Sequence, residues 1–374
     1  VAKYYFYHNS LLVNNSLFTL QTAMTKNKKR IGILSAGGDC PGINAAIRGI
    51  AKTAILEYDM EVLGISSGFV GLINKEYSVL NETHVSGILT LGGTILGTSR
   101  EKPFGKKQLQ DAIDRPKLIK KHYNELELDC IVCIGGNGTQ RTAGMLSQEG
   151  LNVIGIPKTI DNDVWGTDVT FGFDSAVNIA TEAIDRLHTT ANSHKRIMII
   201  EVMGHNAGWI ALYSGIAGGG DLILLPEVPL NEEIILKYLD ERATVRKAYS
   251  IVVVAEGIIN NKKEKAGEYI SRLIGSKLGY ESRVTVLGYI QRGGAPSPTD
   301  RILATHYGTH AAELIHAEQY GRMVAIHNNQ ITSIPLSETI GKTRLVPPDY
   351  PLIDKARKIG TCFGDVCPPT IKKY

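Results

Sequence analysis

The sequence predicts an α/β protein made of two doubly wound lobes with mostly parallel sheets. Three observations carry that expectation. Short β-branched runs alternate with helix-like stretches, loops rich in Gly and Asp recur where those runs end, and 374 residues at 43% hydrophobic and 21% charged suffice for two cores. Strand–helix alternation implies right-handed crossovers, and in such sheets ligands sit outside the carboxyl ends of the strands. The net charge is only +4, with Lys and Arg scattered among acids, so no charge field points to nucleic acid or a membrane surface. No apolar run is long enough to span a bilayer. Five cysteines at irregular spacing, Cys130 and Cys133 among them on an apolar run, fit reduced cytosolic thiols better than a disulfide frame.

Residues 1–23 are rich in Tyr, Asn and Leu, and Asn14-Asn15 interrupts their apolar run, so they read as a disordered extension outside the fold. The first strand, Arg30–Leu34, runs into Ser35-Ala36-Gly37-Gly38-Asp39-Cys40-Pro41-Gly42 and a helix from about Ala45. Glycines let backbone N–H groups approach a phosphate, and a helix N-terminus behind them adds partial positive charge. The loop is neither a Walker loop, lacking G-K-[ST], nor the dinucleotide fingerprint, whose glycine spacing differs. One such loop is structural more often than not, but it recurs. After Glu61–Ile65 comes Gly68–Leu72, then Gly92–Arg100, and strand Cys130–Ile134 ends in Gly135-Gly136-Asn137-Gly138-Thr139-Gln140 before a helix near Arg141. Four Gly-rich loops at successive strand ends are what a parallel sheet binding a polyphosphate requires.

The apolar run Leu151–Ile156 is stopped by Pro157 and opens P-K-T-I-D-N-D, Pro157–Asp163. These seven residues hold two carboxylates, Asp161 and Asp163, the Thr159 hydroxyl and the Lys158 ammonium; alone they would read as an Asx-rich turn. A second series follows: helix Val177–Ala191, strand Ile197–Val202 opened by Arg196, the turn Met203–Gly208, helix Trp209–Ile216, and strands Leu222–Leu225 and Ser250–Ala255, the last ending in Glu256. Arg283 and Arg292 bracket a final apolar strand. With Arg196 they make three arginines whose planar forks suit a phosphate ester.

From about Lys29 onward these residues resemble the phosphofructokinase family. The segments G-G-D-C-P-G-I-N-A-A-I-R-G, P-K-T-I-D-N-D, T-F-G-F-D-S-A, E-V-M-G and G-Y-I-Q-R-G-G stand in that family's order. The resemblance implies Rossmann-like lobes, the first of residues 24–171 plus about 291–341 for the donor, the second of residues 172–290 plus about 342–374 for the sugar phosphate. It implies transfer of a phosphoryl group from ATP to the 1-hydroxyl of fructose 6-phosphate, with Mg²⁺, in the cytoplasm. Asp161 would be the general base, Asp163 its neighbour in the same loop, and Thr159 a contact of the transferring group. Ile160, Met203, Gly204, His205, Glu256, Tyr289 and Arg292 fall where the family binds the sugar. Arg196 and Arg283 match arginines that reach a neighbouring subunit's 6-phosphate, implying a homo-oligomer, dimer or tetramer, with shared sites. Gly38, Arg100, Glu101, Gly136, Asn137, Gly138 and Thr139 match nucleotide-phosphate contacts.

Departures from the family pattern leave alternatives open. Asn137 stands where the family usually has the Asp that carries Mg²⁺, His205 where many members have arginine, and Tyr289 where a histidine is frequent. Pyrophosphate-using relatives generally carry Asp at the position of Gly138 and Lys at that of Lys158; Gly138 weighs more, because a carboxylate there would meet the nucleotide, and favours ATP. The alternatives are a pyrophosphate-dependent enzyme of the same reaction and a non-catalytic regulatory paralogue.

Overall fold

Apolar β-branched runs covered on both faces form the central strands. In this computed structural model, which describes residues 28–105, 114–245, 249–259 and 264–366, they build two sheets. The extension at 1–23 lies outside the described residues. The first half of the chain runs β1 (Arg30–Ser35), α1 (Ile43–Leu56), β2 (Glu61–Ile65), α2 (Phe69–Asn74), β3 (Tyr77–Leu80), α3 (Arg115–Glu125), β4 (Cys130–Gly135), α4 (Asn137–Gln148) and β5 (Val153–Pro157). The second half runs α5 (Phe173–His194), β6 (Ile197–Val202), α6 (Trp209–Ala217), β7 (Leu222–Leu224), α7 (Glu232–Val245), β8 (Ser250–Ala255), α8 (Ala266–Leu278), β9 (Ser282–Val286), α9 (Pro298–His316), β10 (Arg322–His327), β11 (Gln330–Pro335) and α10 (Pro351–Lys358).

The larger sheet has the order β11-β10-β5-β4-β1-β2-β3, the smaller β7-β8-β6-β9. The smaller is parallel throughout. The larger is parallel from β10 to β2 and antiparallel at both edges, where β3 and β11 pair with their neighbours. Burial follows this order: β4 and β5, flanked by strands and covered by helices, are buried along their whole length, whereas Tyr77, Ser78 and Val79 of edge strand β3 are exposed. The antiparallel edges were not expected. The turn joining β10 to β11 is Asn328-Asn329, both at positive φ (50° and 63°), a two-residue hairpin connection that asparagine accepts. Helix α9 carries the chain from the smaller sheet back to the larger and crosses α1 closely. A Cβ at Gly308 would stand 2.5 Å from the Ala46 carbonyl oxygen, so a side chain there would force the helices apart.

Several expected boundaries shift. Helix α4 starts at Asn137, not near Arg141, because Gly136, extended just after β4, is followed at once by helical backbone. Helix α1 likewise starts at Ile43 rather than Ala45, and α5 spans Phe173–His194 rather than Val177–Ala191. The Gly92–Arg100 segment does not follow a strand; a 3₁₀ turn, Ile88–Thr90, precedes it, so it reaches the sheet edge as a loop. Strand β9, the one expected to run between Arg283 and Arg292, stops at Val286, and Arg292 closes a 3₁₀ turn, Gly288–Arg292, instead of a strand. Cys40, Cys130, Cys133 and Cys362 are buried, and burial pushes the thiols of the first three upward, Cys40 to about 12, which makes them inert at neutral pH. Among the described residues no helix is long and apolar enough to cross a membrane.

Candidate active site

From β1 the chain moves to β2 on one side, and from β4 to β5 on the other, which opens a crevice between the carboxyl ends of β1 and β4. The Gly37–Asp39 turn after β1 and the Gly136–Thr139 start of α4 flank a cleft of about 450 Å³. Because α4 begins directly after Gly136, the backbone N–H groups of its first turn face the orphan-donor condition of every helix start and suit an anion. Two glycines in these loops differ in what surrounds them. At Gly38 a Cβ would stand 2.2 Å from Nη1 of Arg292, so only glycine lets that guanidinium lie over the turn. At Gly138 a Cβ would meet nothing within 4 Å, so the space beside it is open. Thr139 is buried, its hydroxyl donating to the Ala36 carbonyl oxygen at 3.3 Å.

The loop after β5 closes one end of the cleft. Pro157 ends the strand, the Asp161 N–H donates to Thr159 Oγ1 at 3.1 Å, and Asn162 turns the chain at positive φ (53°) with its Oδ1 accepting the Thr170 N–H at 3.0 Å. Asp163 is held from two directions. Asn137 donates its amide to Asp163 Oδ2 at 2.9 Å and to the Asp163 carbonyl oxygen at 3.2 Å, and the Arg344 N–H donates to that carbonyl at 2.8 Å. The guanidinium of Arg344 adds a bond from Nη1 to the Asn162 carbonyl oxygen at 2.9 Å.

Asp161 is the exception in this network, since its Oδ1 is buried without a hydrogen-bond partner among the described residues. Burial raises its pKa, and the charges of Arg292 and His205 oppose the rise. Asp163 is pushed up to about 6, first by burial and then by the negative charge of Asp161. Lys158 is buried, its ammonium donating to the Gly38 carbonyl oxygen beneath the turn, and burial lowers its pKa.

The cleft gathers Gly38, Arg100, Glu101, Gly136, Asn137, Gly138, Thr139, Lys158, Thr159, Ile160, Asp161, Asp163, His205 and Arg292. His205 comes from the turn after β6, at positive φ (51°), its N–H accepted by Glu256 Oε1 at 2.8 Å; Glu256 also accepts the Gly204 N–H at 3.3 Å. Gly204 and Glu256 therefore shape the turn rather than line the cleft, and Met203 is buried beneath it. Tyr289 is 74% exposed, with the Arg292 guanidinium 5.5 Å from its ring centroid. Arg196 and Arg283 stand apart from the cleft. They sit at the amino ends of β6 and β9, both bound by Glu281 at 2.7 and 2.5 Å, about 20 Å from the carboxyl end of β6 at the strand rise of roughly 3.3 Å per residue. Sequence reasoning missed Ser99, Lys102, Asn206 and Thr343, which also line the cleft. Asn206, in the same turn as His205, is the one a site-by-turn reading could have found.

A sequence model of the phosphofructokinase family matches residues 30–315. The chain is 58% identical over 335 residues, 90% of this chain and 100% of the relative, to an ATP-dependent 6-phosphofructokinase 3 of Bacteroides thetaiotaomicron. It is 55% identical over 358 residues, 90% and 98% of the two chains, to an ATP-dependent 6-phosphofructokinase of Spirochaeta thermophila. The solved pyrophosphate-dependent phosphofructokinase of Marinobacter aquaeolei superposes with a TM-score of 0.77 over 92% of this chain and 94% of that one; at 24% identity this likeness is one of fold.

Proposed function

The chain belongs to the phosphofructokinase family, and on that premise we propose that it transfers the γ-phosphoryl group of ATP to the 1-hydroxyl of fructose 6-phosphate, giving fructose 1,6-bisphosphate and ADP, the committed step of glycolysis. The observation that carries the reading is the buried, unpartnered Oδ1 of Asp161 in the same cleft as two glycine-rich phosphate loops. A buried carboxylate oxygen without a partner calls for one, and a sugar hydroxyl supplies a donor whose proton Asp161 can take.

In this reading the sugar oxygen attacks the γ-phosphorus, its proton passes to Asp161, and ADP leaves with the bridging electron pair. Thr159 contacts the transferring group, and the N–H groups of α4's first turn, with Gly38 and Arg100, receive the donor phosphates. The open space at Gly138 leaves room for the nucleotide's α-phosphate and supports ATP over pyrophosphate. Arg292, beside Asp161 and over Gly38, neutralises charge between donor and acceptor. Glu256 acts on the sugar side through the His205 turn that it holds.

Mg²⁺ fits this donor set. Asn137 gives its amide hydrogens to Asp163, which leaves its Oδ1 without a partner among the described residues beside a carboxylate, and Mg²⁺ is usually held by one or two carboxylates plus substrate phosphates and water. Asp163 and Asn137 Oδ1 would hold it, and the ion would neutralise charge on the transferring phosphates. Arg196 and Arg283, too far from this chain's cleft, serve the 6-phosphate in a neighbouring subunit, which makes the active form a homo-oligomer. The buried thiols of Cys40, Cys130 and Cys133 and the glycolytic reaction fit the cytoplasm.

A coupled assay of the purified protein with fructose 6-phosphate and either ATP or pyrophosphate tests the reading. Turnover with ATP is the expected result; turnover with pyrophosphate alone would reassign the donor, and none with either would leave the chain a non-catalytic binder.

A further inference from the structure

Behind the catalytic loop lies a second cleft of about 460 Å³, within the size range of small-molecule sites. Its walls are aromatic: Trp165, Trp209 and Tyr350, the last edge-on to Trp209 with ring centroids 5.1 Å apart. Arg344 also lines it, its guanidinium carbon 4.1 Å from the Trp209 ring centroid. Arg344 is half-buried, and among the described residues no carboxylate stands within ion-pairing distance of it; its one side-chain hydrogen bond runs from Nη1 to Asn162. Burial lowers its pKa, and Tyr350 and the Asp168 carboxylate oppose the fall from beyond ion-pairing distance. The remaining charges leave that vacancy unfilled. His327 is taken by Asp168 at 3.2 Å, Glu338 is exposed, and Lys342 stands over the Trp165 ring at 5.3 Å, adding a second cation at the edge.

We propose that this cleft binds a small aromatic anion, an aryl phosphate or aryl carboxylate, whose acid group pairs with Arg344 and whose ring packs among Trp165, Trp209 and Tyr350. A guanidinium stacked on an indole keeps its planar fork free for a carboxylate or phosphate, and the indole and phenol walls supply apolar area for a ring. The site is joined to the catalytic loop by the same residue. Arg344 holds the carbonyl oxygens of Asn162 and Asp163, and Thr343 pairs with Val164 in an antiparallel bridge, so ligand and loop share one side chain. Occupancy of the cleft and binding of fructose 6-phosphate are therefore linked and must alter each other equally. This linkage, unlike the binding itself, rests on the proposed function.

Both tryptophans of the chain line this cleft and neither lines the catalytic one, so intrinsic fluorescence of the full-length protein reports on it directly. Titration with phenyl phosphate or benzoate is expected to give a saturable change, the stronger of the two identifying the preferred acid. Inorganic phosphate, which lacks the ring, and phenol, which lacks the anion, should give none at the same concentrations. Arg344→Met should abolish the change. Trp165→Leu, at a position 42% exposed and tolerant of replacement, should weaken it at least several-fold while Trp209 still reports, and covers the case in which Arg344→Met fails to fold. Saturating fructose 6-phosphate should move the midpoint by about fivefold or more. No saturable signal with either anion, or a signal unchanged in both variants, would overturn the site. An unmoved midpoint would overturn the linkage alone. Since fluorescence needs no turnover, a chain inactive in the coupled assay could still show binding, which keeps failure of the site distinct from failure of the proposed function.

Discussion

Replacing Gly138 with Asp isolates the donor side of the cleft, because the structure predicts almost no cost to folding. A Cβ there has no neighbour within 4 Å, and the position lies in the first turn of α4, where an acid complements the helix dipole by about 0.3–1 kcal/mol. The melting temperature should hold or rise slightly. The effect on ATP is electrostatic. A carboxylate about 4 Å from a phosphate oxygen, at an effective dielectric constant near 20, is opposed by about 4 kcal/mol. Gly138 is exposed, so solvent screening reduces this to about 2 kcal/mol, or roughly thirtyfold in kcat/KM for ATP. Pyrophosphate, which need not occupy the α-phosphate position, should lose less or gain. The assay is kcat/KM for each donor at saturating fructose 6-phosphate, with thermal melts of both proteins. Unchanged ATP kinetics at an unchanged melting temperature would show that Gly138 does not face the donor, and a melting temperature lowered by several degrees would refute the open space.

Other perturbations test the rest of the site. Asp161→Asn should cut kcat by about 10²–10⁴ without lowering stability, since the Oδ1 position accepts no hydrogen bond in the folded chain; a variant keeping most of its turnover removes Asp161 as base. Burial and the charge of Asp161 push Asp163 up to about 6 and Asp161 is also raised, so kcat/KM should be level above neutrality and fall as pH drops through about 6; a profile level down to pH 5 would contradict the role of ionised Asp163. Asp300, buried and bound to the Ser175 N–H at 2.8 Å, is likewise raised to about 6 by burial. Between its ordinary value near 4 and 6 the folded chain holds a proton that the unfolded chain has lost, so its stabilising contribution is complete below about 4 and is lost as pH rises through 6. Asp300→Asn keeps the acceptor without the ionisation and should lose ground to wild type at pH 5 relative to pH 8 by about 1.4 kcal/mol; a pH-independent difference in denaturant melts would exclude this. Arg196→Ser should raise half-saturation for fructose 6-phosphate far more than for ATP, and mixing it with Asp161→Asn subunits should restore activity; no recovery after verified subunit exchange would count against shared sites.

The chain's own order determined the strands, the glycine loops and the Pro157–Asp163 segment, because side-chain periodicity, β-branching and turn chemistry act over a few neighbours. It also put Asp161 and Asp163 two residues apart on one loop, which no packing was needed to reveal. Edge direction was less legible. Asn328-Asn329 is a hairpin signal only once strands flank it, and β3 is mostly exposed, without the continuous apolar run that marks β4. Which distant groups meet is set by packing alone. Arg292 lies over Gly38, His205 enters from the second sheet, and Arg344 reaches Asn162 across 182 residues, while Arg196 and Arg283, equally plausible as phosphate ligands by residue type, stand a strand's length away. Burial belongs to the same class: the raised pKa of Asp163 and the unpartnered oxygen of Asp161 arise from desolvation by many residues at once. Desolvation and through-space charge sum over everything nearby, and nearness in a folded chain is set by packing rather than by sequence separation.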